Sequence, residues 1–125
     1  MSKKVLVVED ELPLAQVLGD KLKAVGYEVK TAGDGQTGLT KALDWKPDLV
    51  LLDIVMPIMD GMTMLHKLRA TPEGKNMSVI LLTNLSDSEH VYDATANGVF
   101  DFLVKSNWDV DDLVDEVQTR LAPLS

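Results

Sequence analysis

Four short, unbroken apolar runs punctuate the chain, at residues 5–8, 49–52, 79–82 and 102–104. Each ends abruptly in polar residues: Glu9-Asp10-Glu11, Asp53, Thr83-Asn84 and Lys105. Runs of this length, apolar at every position, predict strands buried on both faces. Residues 27–31 alternate instead and predict a short strand nearer an edge. The segments between the runs follow a helical period. Leu14, Val17, Leu18, Leu22 and Val25 mark the first helix, with Pro13 suited to its first turn and Gly26 closing it. Leu39, Ala42 and Leu43 mark a second helix, after the turn Gly33-Asp34-Gly35 and before Pro47. Leu65 and Leu68 mark a third, opened at Asp60-Gly61 and followed by a loop over residues 71–74.

Ser86-Asp87-Ser88-Glu89 has the spacing of a capping box. It predicts a helix carrying Val91 and Ala94 and ending at Asn97-Gly98. Val110, Leu113, Val114, Val117 and Leu121 pattern a final helix, begun by Ser106, Asn107 or Asp109. Strand and helix thus alternate five times. This order predicts an α/β fold, a parallel sheet covered on both faces. No repeat, low-complexity segment or linker divides the chain, so residues 1–125 are expected to form a single domain.

Composition narrows the function. The chain has no cysteine, which excludes thiol catalysis, Cys-based zinc sites and disulfides and fits a reducing compartment. Twenty acidic residues face twelve basic ones, for a net charge of −8. Affinity for a phosphate backbone comes from Lys and Arg, so no direct nucleic-acid binding is expected. The first apolar run is too short for a signal peptide, and no stretch has the length of a membrane span. A cytoplasmic protein without membrane contact is expected.

In a parallel sheet all strands end at the same edge, and in open α/β sheets ligands gather there. The first strand brings Glu9 and Asp10 to that edge, the third Asp53, the fourth Thr83 and the fifth Lys105. Three carboxylates so close repel one another unless a cation sits among them. Lys105 can approach Asp53 directly, and a divalent ion fits among Glu9, Asp10 and Asp53. All-oxygen ligation suits Mg²⁺ better than a soft metal. Cations and a hydroxyl beside a carboxylate are equipment for phosphoryl transfer, where charge on the transferring oxygens must be neutralised. Asp53 would be the nucleophile and form an acyl phosphate. Lys105 and Mg²⁺ would hold the phosphoryl oxygens, and the Thr83 hydroxyl would donate to one of them.

Val8-Glu9-Asp10-Glu11, Leu52-Asp53 through Met56-Pro57 with Asp60-Gly61, Leu82-Thr83 and Phe102 through Lys105 occur in order at the right strand ends. On these motifs, essentially the whole chain resembles the receiver domains of two-component response regulators. The resemblance implies a doubly wound, flavodoxin-like (βα)5 fold with strand order 2-1-3-4-5. It implies phosphorylation of Asp53 by a sensor histidine kinase or a histidine phosphotransfer protein. It further implies Mg²⁺ bound by Asp10, Asp53 and the main-chain carbonyl of Val55, with Glu9 helping through water. Thr83 and Phe102 match the family's switch pair, whose movement alters the last two helices and the strand between them. That surface would include His90, Tyr92, Phe100 and Trp108 and would meet an unidentified downstream protein. A phosphorylation-dependent homodimer stays open. Such a domain assists its own phosphorylation and dephosphorylation and is not a turnover enzyme.

Three positions stand out against the pattern. Most receivers carry proline after the lysine; Ser106 stands there, so a trans bond and a shifted loop from Lys105 to Asp109 are expected. Val55 and Leu85, two residues beyond Asp53 and Thr83, are apolar and cannot orient water, which predicts a long-lived phosphoaspartate. Other features have ordinary explanations. Met56, Met59, Met62 and Met64 read as core gap-fillers, and His66 and His90 as surface residues. Asp109, Asp111, Asp112, Asp115 and Glu116 favour the N-terminal end of the final helix through its dipole. The alternative function is an interaction module that keeps the fold without phosphorylation. A Mg²⁺-dependent phosphohydrolase is disfavoured by Val55, where a second carboxylate would be needed. A dinucleotide site is disfavoured because no glycine loop follows the first strand.

Overall fold

The computed structural model describes residues 3–54, 56–83, 96, 101–104 and 109–121, with residues 83 and 101–104 described by their backbone. The elements run β1 (Lys4–Val8), α1 (Leu12–Ala24), β2 (Glu28–Ala32), α2 (Gly35–Trp45), β3 (Leu49–Asp53), α3 (Gly61–Arg69), β4 (Ser78–Thr83), β5 (Asp101–Val104) and a C-terminal helix (Val110–Leu121). The strands form one parallel sheet in the order β2-β1-β3-β4-β5. This is the doubly wound, flavodoxin-like α/β architecture expected. Of the helix expected over residues 86–97 only Ala96 is described, and it is helical. No helix among the described residues is long and apolar enough to cross a membrane.

The apolar runs of β1, β3 and β4 become strands because each packs on both faces. Alternate residues point to opposite sides of the sheet. Leu6, Val8, Val50 and Leu52 pack with Met64, Leu65 and Leu68 of α3 and Ala42 of α2 on one face. Val5, Val7, Leu49 and Leu51 pack with Leu18 and Leu22 of α1 and Leu113 and Val117 of the C-terminal helix on the other. Right-handed crossovers require this split. The step from β1 to β2 moves one way along the sheet, and the steps from β2 to β3 and β4 move the other way. The strand order therefore reverses between β1 and β3, which opens a crevice at their C-terminal ends.

Helix starts follow local chemistry. The Asp34 carboxylate accepts from the Thr37 amide at 2.8 Å and begins α2. The Asp60 carboxylate accepts from the Thr63 amide at 2.7 Å and begins α3. Of the three candidates for the last start, the structure selects Asp109. Its carboxylate accepts from the Asp112 amide at 2.9 Å, and Asp112 returns the bond to the Asp109 amide at 3.1 Å. Met56, Met62 and Met64 are buried, as gap-filling side chains should be, and His66 is exposed.

The first helix departs from its expected face. Val17 and Val25 are 45% and 43% exposed. The buried stripe is Ala15, Leu18, Gly19 and Leu22. Val25 already stands past the last helical residue as the cap, and Gly26 follows at φ 106. The edge strand begins at Glu28, one residue later than expected, because Tyr27 packs against the α1 side of the core instead.

Candidate functional site

The carboxylates stand on either side of the crevice. Val8 pairs with Leu52 across β1 and β3, so Glu9 and Asp53 are each one step further along neighbouring strands. The ligand oxygens of Glu9, Asp10 and Asp53 lie within 4.8 Å of one another. Glu9 is fully buried, Asp53 is 5% exposed, and Asp10 is open to solvent. The group is thus open to solvent at Asp10.

Backbone amides hold two of these carboxylates in place. Asp53 Oδ1 accepts from the Ile54 amide at 2.8 Å, and Glu9 Oε1 accepts from the Glu11 amide at 3.2 Å. The Glu9 amide itself donates to the Ala32 carbonyl at 2.9 Å, which ties the end of β1 to β2. Neutral donors reduce the cost of burying the charges but do not cancel the repulsion between them. A cation would. The donor set is entirely oxygen and combines two buried groups with one exposed group, so it suits a hard cation that keeps some of its water.

The loop after Asp53 is built on close backbone contact. The Gly61 amide donates to the Ile54 carbonyl at 2.7 Å. A Cβ on Gly61 would strike the Asp53 carbonyl oxygen and stand 3.0 Å from Ile54 Cα, so only glycine permits α3 to start so near the phosphoacceptor candidate. Met59 donates its amide to the Pro57 carbonyl at 2.7 Å, closing a tight turn around Ile58. Ile58 is β-branched yet has φ 69. Backbone held in that region costs about 1–3 kcal/mol.

The other sequence candidates are placed by backbone. Thr83 ends β4 one step beyond Leu82, the β3–β4 partner of Asp53, and so reaches the same edge. Phe102 lies in β5 opposite Leu81. The side chains of both fall outside the described residues. Val55, Leu85, Lys105 and Ser106, together with His90, Tyr92, Phe100 and Trp108, lie outside them altogether. The structure therefore brings together Glu9, Asp10 and Asp53. Sequence reasoning missed the contribution of the backbone around Ile58. Asp60-Gly61 signalled a helix start, but nothing in the side-chain pattern marks a carbonyl against which a glycine must pack.

Comparison with known proteins agrees with this fold. Residues 5–118 match the model of the response regulator receiver domain family. The chain is 41% identical over 110 residues to the response regulator PleD of Caulobacter vibrioides, covering 88% of this chain and 24% of that protein. It is 33% identical over 121 residues to the DNA-binding response regulator MtrA of Mycolicibacterium paratuberculosis, covering 97% of this chain and 52% of that protein. The chain thus spans about a quarter of one relative and about half of the other. The solved structure of the Vibrio cholerae chemotaxis protein CheY4 superposes with a TM-score of 0.87 at 30% identity, covering 97% of this chain and 100% of that one.

Proposed function

The chain belongs to the response regulator receiver domain family, and we propose that within it Asp53 is the phosphoacceptor of a two-component pathway. The observation that carries this reading is the three-carboxylate cluster at the point where the strand order reverses, with Asp53 buried within it. Residues 1–125 act as one receiver domain. An Asp53 carboxylate oxygen attacks the phosphorus of a phosphohistidine on a sensor kinase or phosphotransfer protein. A P–O bond forms, the P–N bond breaks, and the imidazole nitrogen keeps the electron pair. Asp10 and Asp53 would hold Mg²⁺ with the Val55 carbonyl, and Glu9 would contribute through water. When bound, the ion supplies positive charge against the phosphoryl oxygens.

Lys105 and Thr83 complete the site. The register supports their placement: β4 ends at Thr83, and β5 ends at Val104, immediately before Lys105. Lys105 pairs with a phosphoryl oxygen, and the Thr83 hydroxyl donates to another. That new bond favours one arrangement of Thr83 and Phe102 over the other, and the surface around the last two helices changes with it. A downstream protein reads the change.

The cation arm is tested by thermal unfolding with and without Mg²⁺. An ion that binds the folded chain alone stabilises it by about 2.7 kcal/mol at a hundred times its dissociation constant. Wild type should show that shift. Asp10→Asn should lose it while melting no lower than wild type without Mg²⁺, since it removes one like charge from the cluster. Equal Mg²⁺ shifts in both would exclude Asp10 as a ligand.

The protein phosphodonor is tested separately. Leu12 is 72% exposed at the start of α1, next to the carboxylate-bearing end of β1. Leu12→Asp places an acid where a helix N-terminus favours one, so the fold should tolerate it. Transfer from a phosphorylated histidine protein should slow by about tenfold, the effect of losing one apolar interface contact worth about 1.4 kcal/mol. Uptake from a small-molecule phosphodonor should stay at the wild-type rate. Loss of both rates together would contradict a docking role for this face.

A further inference from the structure

The turn closed by Pro57 and Met59 is held from outside. Ile58, at its centre, is 85% exposed, so burial of its side chain does not compensate for φ 69. A β-branched residue in the left-handed region persists only where its surroundings fix it. Two glycine amides do so from opposite sides. The Gly61 amide binds the Ile54 carbonyl at 2.7 Å, ahead of the turn, and the Gly35 amide binds the Met59 carbonyl at 2.9 Å, behind it.

Gly35 is the first residue of α2, a separate part of the chain. Its amide is the first of α2 and has no partner within that helix, so it can bond across to the loop. A Cβ there would strike the Met59 carbonyl oxygen and approach the Asp60 carbonyl oxygen at 3.0 Å. Any other residue would push the loop away. Asp34 fixes the direction of the amide by capping α2 through Thr37.

We propose that Gly35 is a positioning residue for the phosphoacceptor site: its amide latches the Met59 carbonyl, keeps the turn at residues 57–59 closed, and so frames the carboxylate cluster around Asp53. The proposal rests on the reading of Asp53 as phosphoacceptor. With the latch broken, Ile58 relaxes to negative φ and the chain between Asp53 and Asp60 shifts. Cation affinity and phosphoryl uptake then fall together. Gly35 contributes no side chain to either hydrophobic cluster, so the fold does not depend on it in the same way.

The test compares Gly35→Ala, Leu39→Ala and wild type in the full chain, well below their unfolding midpoints. Mg²⁺ affinity is measured by calorimetric titration and phosphoryl uptake with a small-molecule phosphodonor. Gly35→Ala should weaken Mg²⁺ binding by about 10–100-fold, the range seen when groups that orient metal ligands are lost. Leu39 packs on the α2–α3 side of the core, so Leu39→Ala should lower stability without changing Mg²⁺ affinity.

Wild type gives an independent readout even if Gly35→Ala does not fold. Coupling is reciprocal, so Mg²⁺ should slow hydrogen exchange of the Gly35 amide by the factor the latch contributes to Mg²⁺ affinity. Unchanged Gly35 exchange or equal Mg²⁺ loss in Leu39→Ala would each overturn the latch. Wild type that binds Mg²⁺ and takes up phosphate, with Gly35→Ala indistinguishable from it, would overturn the latch alone. Wild type that does neither would overturn the reading of Asp53, and the latch with it.

Discussion

Replacing Asp53 with asparagine should abolish phosphoryl uptake and, at the same time, stabilise the fold. The two effects share a cause. Asp53 is held 5% exposed, with its oxygens within 4.8 Å of those of Glu9 and Asp10. Two unit charges at that separation repel by about 3 kcal/mol at an effective dielectric constant of about 20. The exposed position of Asp10 and the amides that serve Asp53 and Glu9 reduce this, leaving a net gain on the order of 1 kcal/mol when one charge is removed. For a domain of this size that raises the unfolding midpoint by about 3–6 °C. Asparagine keeps an oxygen to accept from the Ile54 amide, so the local backbone has no reason to move. Its amide is no nucleophile, so uptake disappears. A site arranged for chemistry commonly costs stability in this way. A variant that lost uptake and stability together would indicate that Asp53 is structural.

Leu51→Ala should cost about 2–5 kcal/mol, a large share of the roughly 5–15 kcal/mol that holds a domain folded. Leu51 is fully buried in the central strand, two residues before Asp53, in the cluster with Leu18 and Leu22 of α1 and Leu113 and Val117 of the C-terminal helix. Truncation leaves a cavity that three elements would have to move together to fill. Equilibrium urea unfolding should show a lower midpoint with an unchanged slope. Val17→Ala, at a 45% exposed position on α1, should shift it by less than about 0.5 kcal/mol. Equal costs at the two positions would contradict the assignment of the buried α1 face.

The strands were legible because a sheet covered on both faces demands unbroken apolar runs, and residues 49–52 supply one that stops at Asp53. The site was legible for the same reason: polar residues interrupt those runs only at their ends, and a parallel sheet brings the ends together. Asp60 was legible as a helix start because its carboxylate caps α3. The buried face of α1 was less so. Ala15 and Gly19 line it by being small, whereas Val17 and Val25 carry the stronger hydrophobic signal and lie in solvent. The bond from Gly35 to Met59 and the positive φ of Ile58 were not legible at all. They depend on how closely two backbone segments approach, and backbone atoms are the same for every residue. A glycine in a turn reads as a turn former whether or not a carbonyl lies against it.

The central claim is that Asp53 carries the phosphoryl group. Wild type incubated with Mg²⁺ and a small-molecule phosphodonor, treated with borohydride and digested, reports the modified residue by peptide mass. An acyl phosphate on an aspartate is reduced to homoserine, so the account predicts homoserine at position 53, dependent on Mg²⁺ and absent when Mg²⁺ is chelated. Homoserine at another aspartate, or an unmodified Asp53 after phosphorylated histidine protein has also been supplied, would contradict it and favour a binding module that works without phosphorylation.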